Sequence, residues 1–98
     1  MDIYYERHGI QFVWNEAKGQ SNPIKHGGVT FEQATEAFFD PFLKGIDASR
    51  GGEARDAIIG MDQQWHLLFV VHIEMESDMV RLISARKATR KERLEYEN

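Results

Sequence analysis

The sequence predicts an α+β domain: an antiparallel sheet, helices packed on one face of it, and a helix at the C-terminus. Three observations point there. Thr30-Phe-Glu-Gln33 and Thr89-Arg-Lys-Glu92 each carry a hydroxyl at an N-cap and a carboxylate or amide three residues on, the reciprocal cap that opens a helix. Between them, Arg55 to Ala85 holds apolar runs separated by short polar turns at Asp62–Gln64 and Glu76–Asp78, the spacing of an antiparallel meander. One of those runs, Trp65 to Met75, is almost continuously apolar, as expected of a central strand covered on both faces.

Taken in order, Ile10-Gln-Phe-Val-Trp14 is a first strand, short and rich in β-formers. Asn15 can cap a helix directly after it. Glu16 to Ile24 reads as a weak helix, two turns with a break before Pro23, because Gly19 lowers its propensity and proline cannot continue the bonding. Lys25-His-Gly-Gly28 is a turn whose glycines accept positive φ. The helix capped by Thr30 runs to about Phe39. Phe31, Ala34, Ala37 and Phe38 form one apolar face on it, and Asp40-Pro41 stops it. Phe42 to Ile46 reads as a short strand, Asp47 to Glu53 as an exposed loop, and Arg55 to Met61 as a strand. Met79 to Ala85 is the returning strand before the last helix.

Ninety-eight residues fit one domain, residues 1–98, with a modest core. There is no cysteine, so disulfides and thiolate metal sites are excluded. MDIYYERHG has no apolar h-region, and the longest apolar run, Leu67 to Val71, is far short of a membrane span. A soluble cytoplasmic protein is expected, with no membrane partner.

The net charge of −4 is uneven. Residues 80–98 carry six basic and three acidic side chains, whereas residues 1–79 carry six and thirteen. That balance suits a basic partner, or a small and selective nucleic-acid site, better than a broad nucleic-acid coat. The basic excess sits in Val80 to Tyr96, VRLISARKATRKERLEY. By composition this stretch also fits a solvated C-terminal helix whose charge is offset by Glu92, Glu95 and Glu97.

Several chemistries lack their pattern. His66 and His72 would lie roughly 20 Å apart on a regular strand, too far to share a metal. KHGG and SRGGE have no strand–glycine loop–helix context for a nucleotide phosphate. Ser49, Ser77 and Ser84 have no nucleophile elbow. What remains is a cationic set, Lys25, His26, Arg55, Arg81 and Arg86, with Arg50 as a further member. Such a set can bind a phosphodiester, stabilise the charge that builds on phosphorus, and help move protons during attack by a ribose 2′-hydroxyl. His26 titrates near neutrality when unperturbed. Glu53 is an alternative base.

The motifs Trp14-Asn-Glu-Ala-Lys18, Asn22-Pro-Ile-Lys-His-Gly27, Val29-Thr-Phe-Glu-Gln-Ala34, Phe39-Asp-Pro41, Glu53-Ala-Arg55 and Arg81-Leu-Ile-Ser-Ala-Arg86, with Glu92, Arg93 and Tyr96, resemble the BrnT family of bacterial toxins. The resemblance covers roughly residues 12–97 and leaves residues 1–9 as an N-terminal extension. Departures are Asn15, Pro23 and a second turn glycine, Gly28. The resemblance implies a compact fold like that of RelE toxins and a metal-independent ribonuclease, with no cofactor, that stops translation and growth. It also implies a BrnA-like antitoxin with a ribbon-helix-helix DNA-binding part. The toxin would meet operator DNA only through that antitoxin, and an antitoxin dimer would bridge two toxins. Lys25, His26, Glu53, Arg55, Arg81 and Arg86 match the polar positions of the family motif. Arg55, Arg81 and Arg86 are expected to hold the phosphate, with His26 or Glu53 in proton transfer. The alternative is a catalytically inactive module that binds an antitoxin and co-represses a promoter.

Overall fold

The computed structural model describes residues 1–49, 51–75 and 77–98. The elements in chain order are β1 (Asp2–Arg7), β2 (Ile10–Asn15), α1 (Glu16–Lys25), α2 (Phe31–Ala37), β3 (Lys44–Asp47), β4 (Asp56–Met61), β5 (Leu67–Glu74), β6 (Val80–Lys87) and α3 (Arg90–Glu97). The strands form one sheet in the order β1-β2-β6-β5-β4-β3. This is the expected α+β class. Among the described residues no helix is long and apolar enough to cross a membrane.

The sheet departs from a purely antiparallel one at a single junction. β2 lies parallel to β6, with Phe12 opposite Val80 and Val13 opposite Arg81. A parallel neighbour needs a long crossover, and here it runs through α1, α2 and three strands before β6 returns beside β2. Residues 1–9, the N-terminal extension, include the edge strand β1. β1 pairs with β2 antiparallel from Asp2–Asn15 to Arg7–Ile10, and Ile3 and Tyr5 pack against the core.

α1 runs unbroken through Pro23 to Lys25 rather than stopping before it. Tertiary contacts override the local penalty. The buried Asn22 side chain donates to Val29 O and Ala85 O, both at 2.8 Å, and accepts from Ala85 N at 3.1 Å, so the helix is bolted to β6. Gly19, the other weak point, is required there: a Cβ would stand 2.7 Å from Trp14 Nε1. The turn after α1 uses positive φ at both Gly27 and Gly28. Thr30 and Thr89 each cap as expected, and both reciprocal boxes are closed.

α1 and α2 cover one face of the sheet. Phe12, Trp14, Phe31, Ala34, Leu68, Val70 and Leu82 make the core between them. The other face is only partly covered, contrary to the expectation for β5: Phe69 and Val71 are half-buried. α3 meets this second face, so the helices are not all on one side. The register places Arg86 beside Phe69, Ser84 beside Val71, and Ala57 between Val71 and Ile46. Cross-strand neighbours share a face, so these residues floor a single open surface.

Candidate functional site

On that open surface lies a cavity of about 510 Å³. Its cations are Arg55, at the entry to β4, and Arg86, near the end of β6. Ile46, Phe69 and Val71 form its apolar floor, and Asp47, Ser49, Ser84 and Glu92 add polar groups. A volume of this order suits a small ligand or one nucleotide unit.

Both arginines are partnered by acids. Arg86 Nη1 and Nη2 donate to Glu92 Oε1 and Oε2 at 2.8 and 2.9 Å, a two-pronged fork from α3. The guanidinium also lies over the Phe69 ring, 4.4 Å from its centroid. The Glu92 hydrogen bonds push the Arg86 pKa up against the effect of burial. Arg86 in turn holds the Glu92 carboxyl below its ordinary value, helped by Thr89. Arg55 Nη2 donates to Glu53 Oε2 at 2.8 Å. Glu53 is exposed and Arg55 half-buried, and Arg55 Nε is buried with no acceptor among the described residues. A buried donor left unpaired costs free energy.

Lys25 and His26 sit apart from the two arginines but next to the same strand. They close α1, and with Lys18, Ser21 and Asn22 they face Ile83 and Ser84 across a smaller hollow of about 170 Å³. Ser84 therefore borders both hollows. A β-bulge beside it, between Val71 and His72, shifts the register of β6 on β5 and sets Val71 opposite Ser84 but His72 opposite Leu82.

Arg81 stands elsewhere. It donates through Nη1 and Nη2 to Asp2 Oδ1 and Oδ2 at 3.3 and 2.8 Å, tying β6 to β1 across β2. This contact raises the Arg81 pKa and lowers that of Asp2. Arg81 does not line the cavity that Arg55 and Arg86 share. Arg50 lies outside the described residues.

The sequence alone weighed Ser84 only as a nucleophile, named Asn22 only as part of a motif, and did not single out Phe69. Ser84 is two residues before Arg86 on a strand, so it shares that arginine's face. Phe69 is readable only through the β5–β6 register. Asn22 looks like an ordinary helix residue until β6 is placed against it.

No curated protein matches the chain. The family model described as "Ribonuclease toxin, BrnT, of type II toxin-antitoxin system" matches residues 14–92, most of the chain, including Lys25, His26, Glu53, Arg55, Arg81, Arg86 and Glu92. β1 lies outside that match. This chain belongs to the BrnT family of ribonuclease toxins of type II toxin–antitoxin systems.

Proposed function

We propose that the chain is an endoribonuclease that cuts RNA without a metal, with the Arg55–Arg86 cavity as its phosphate site. The observation that carries this reading is the convergence of those two arginines on one open hollow, Arg55 from the entry to β4 and Arg86 from β6. Two guanidinium groups can hold the non-bridging oxygens of a phosphodiester and stabilise the extra charge as a fifth oxygen approaches phosphorus. The ribose 2′-oxygen attacks and the 5′-oxygen leaves, giving a 2′,3′-cyclic phosphate and a 5′-hydroxyl. One proton leaves the 2′-hydroxyl and one reaches the departing oxygen. His26, beyond Ser84, and Glu53, on Arg55, are the groups that can move them. Lys25 adds charge on the His26 side.

Membership of the family implies an antitoxin partner. We take it to be BrnA-like, with a ribbon-helix-helix part that binds operator DNA and a dimer that bridges two toxins in the cytoplasm. The acidic body of the chain, −4 overall, suits a basic antitoxin segment.

One observation favours a second reading, that of a non-catalytic antitoxin-binding module: Arg55, Arg81 and Arg86 each already hold a carboxylate. Expressing the chain alone separates the two. Growth arrest with loss of RNA integrity, abolished by Arg55→Ala/Arg86→Ala, is expected of the ribonuclease. Normal growth and intact RNA, with soluble folded protein, would overturn it in favour of the module.

A further inference from the structure

The buried Asn22 side chain sets the orientation of α1 as well as its attachment. It bonds to the backbone of Ala85 on β6, so the stripe of the helix that carries it is turned to the sheet. That stripe is polar. Lys18, Ser21, Asn22 and Lys25 follow the i, i+3, i+4, i+7 spacing of one helical face. With the C-cap residue His26 they border the smaller hollow, which Ser84 meets from β6.

This hollow differs from the Arg55–Arg86 cavity in charge. Asp47 and Glu92 line the larger one, whereas no carboxylate among the described residues lines the smaller. Arg55 and Arg86 each hold an acid, but none of Lys18, Lys25 and His26 forms an ion pair among the described residues. In a chain of net charge −4, two unpaired ammonium groups on one hollow repel each other and attract an anion. At about 170 Å³ the hollow is smaller than the usual ligand pocket, so it admits a phosphate group and not a whole nucleotide. Ser84 lines both hollows, so an anion held in one adjoins an anion held in the other.

We infer that Lys18 and Lys25 form a subsite for a second phosphate of the RNA strand, flanking the one held by Arg55 and Arg86. The substrate is then a strand of several nucleotides rather than any single phosphodiester, and Lys18 grips it without entering the chemistry.

This inference rests on the ribonuclease reading, and the experiment keeps the two apart. Lys18 N donates to the Asn15 side chain at 3.1 Å, which makes Lys18 the third residue of α1, a position that favours glutamine. Lys18→Gln therefore removes the charge and keeps the helix. Wild type, Lys18→Gln and Arg55→Ala, each shown by circular dichroism to be folded, are titrated calorimetrically with thymidine oligonucleotides. These lack the attacking 2′-hydroxyl and stay intact. A dinucleotide carries one phosphate and a tetranucleotide three. Wild type is expected to bind the tetranucleotide about tenfold tighter at low salt, with a slope of log K on log salt steeper by about 0.7 for each further phosphate engaged. Lys18→Gln is expected to cut that gain to about threefold or less and to leave dinucleotide binding unchanged. Arg55→Ala is expected to weaken both. A tetranucleotide no tighter than the dinucleotide, a gain that Lys18→Gln leaves whole, or an equal loss on both would overturn the subsite and leave the phosphate site standing. Dinucleotide binding that Arg55→Ala does not weaken, or no binding of either oligonucleotide, would overturn the reading on which the subsite rests.

Discussion

The carboxylate of Glu92 occupies both terminal nitrogens of Arg86, at 2.8 and 2.9 Å, and so covers the guanidinium that the cavity would offer to a phosphate. α3, which supplies Glu92, has no buried residue. It is held by this fork, by Tyr96 on Asp40 and by Lys44 on the Asn98 carbonyl. The helix beside the proposed phosphate site is therefore docked through polar contacts, which exchange with a competing anion more readily than a packed core does.

Glu92→Gln tests that competition cleanly. Glu92 is also the third residue of the capping box, where its side chain accepts from Thr89 N at 2.8 Å. Glutamine serves equally well in that role, so the cap stays and the charge goes. RNA cleavage and phosphate affinity are expected to rise by about threefold to tenfold, while stability falls by about 1 kcal/mol or less. Cleavage assays and urea unfolding read the two effects. Because Arg86 holds the Glu92 pKa down, the ion pair stabilises the fold above the ordinary carboxyl value of 4.5 and is lost as pH falls through the lower folded value. The stability gap between variant and wild type should accordingly narrow as pH falls below the ordinary carboxyl value and through the lower folded one.

Arg81 and Arg55 should behave differently despite their similar standing in the sequence. Arg81 bridges to Asp2 of β1, whereas Arg55 lines the cavity. Arg55→Ala is expected to lower RNA cleavage by about 100-fold or more, the scale for removing one donor from a developing oxyanion. Arg81→Ala is expected to change cleavage by no more than about threefold and to loosen β1, seen as faster amide exchange from Asp2 to Arg7. Equal losses of activity would return Arg81 to the phosphate site.

Those two arginines mark where the sequence was legible. Capping is local, so Thr30 and Thr89 announced α2 and α3 directly. The apolar run announced β5. Arg55–Glu53 and Arg86–Glu92 are near neighbours in the chain and could be suspected from it. The Asp2–Arg81 pair spans 79 residues and depends on the parallel β2–β6 junction, which no periodicity reveals. β1 did carry a signal: Ile3 and Tyr5 alternate with the polar or exposed Asp2 side, Tyr4 and Glu6. Its position before the first obvious strand hid it. Pro23 misled because Asn22, beside it, makes three buried hydrogen bonds that local propensity cannot register.

Gly60 fixes how α2 approaches the sheet. A Cβ on this β4 residue would lie 2.5 Å from the Ala37 carbonyl oxygen and 3.3 Å from Ala37 Cβ, at the end of α2. Those neighbours are fixed to the backbone and cannot rotate away. Gly60→Ala is therefore expected to cost about 1–3 kcal/mol by forcing α2 off the core, with a matching fall in the urea midpoint. The same substitution at Gly45, on β3, where a Cβ meets nothing within 4 Å, should be nearly neutral and serves as the control.

The Tyr96–Asp40 contact gives α3 a pH dependence at the alkaline end. Burial, and then the hydrogen bond to the Asp40 carboxylate, push the Tyr96 phenol up to about 12. Burial also pushes Asp40 upward, but Tyr96, Met61 N and Phe42 N outweigh it and hold this carboxyl below its ordinary value. The phenol must thus stay protonated for this contact to hold α3. Its contribution is fully present below the ordinary tyrosine value of 10 and disappears as pH rises through about 12. Tyr96→Phe should lower stability at pH 7 by about 1 kcal/mol, and the difference from wild type should shrink above pH 10. In an ultraviolet titration the tyrosinate step near pH 12 should vanish in the variant. A step that stays in Tyr96→Phe would place that late ionisation on another tyrosine and sever α3 from it.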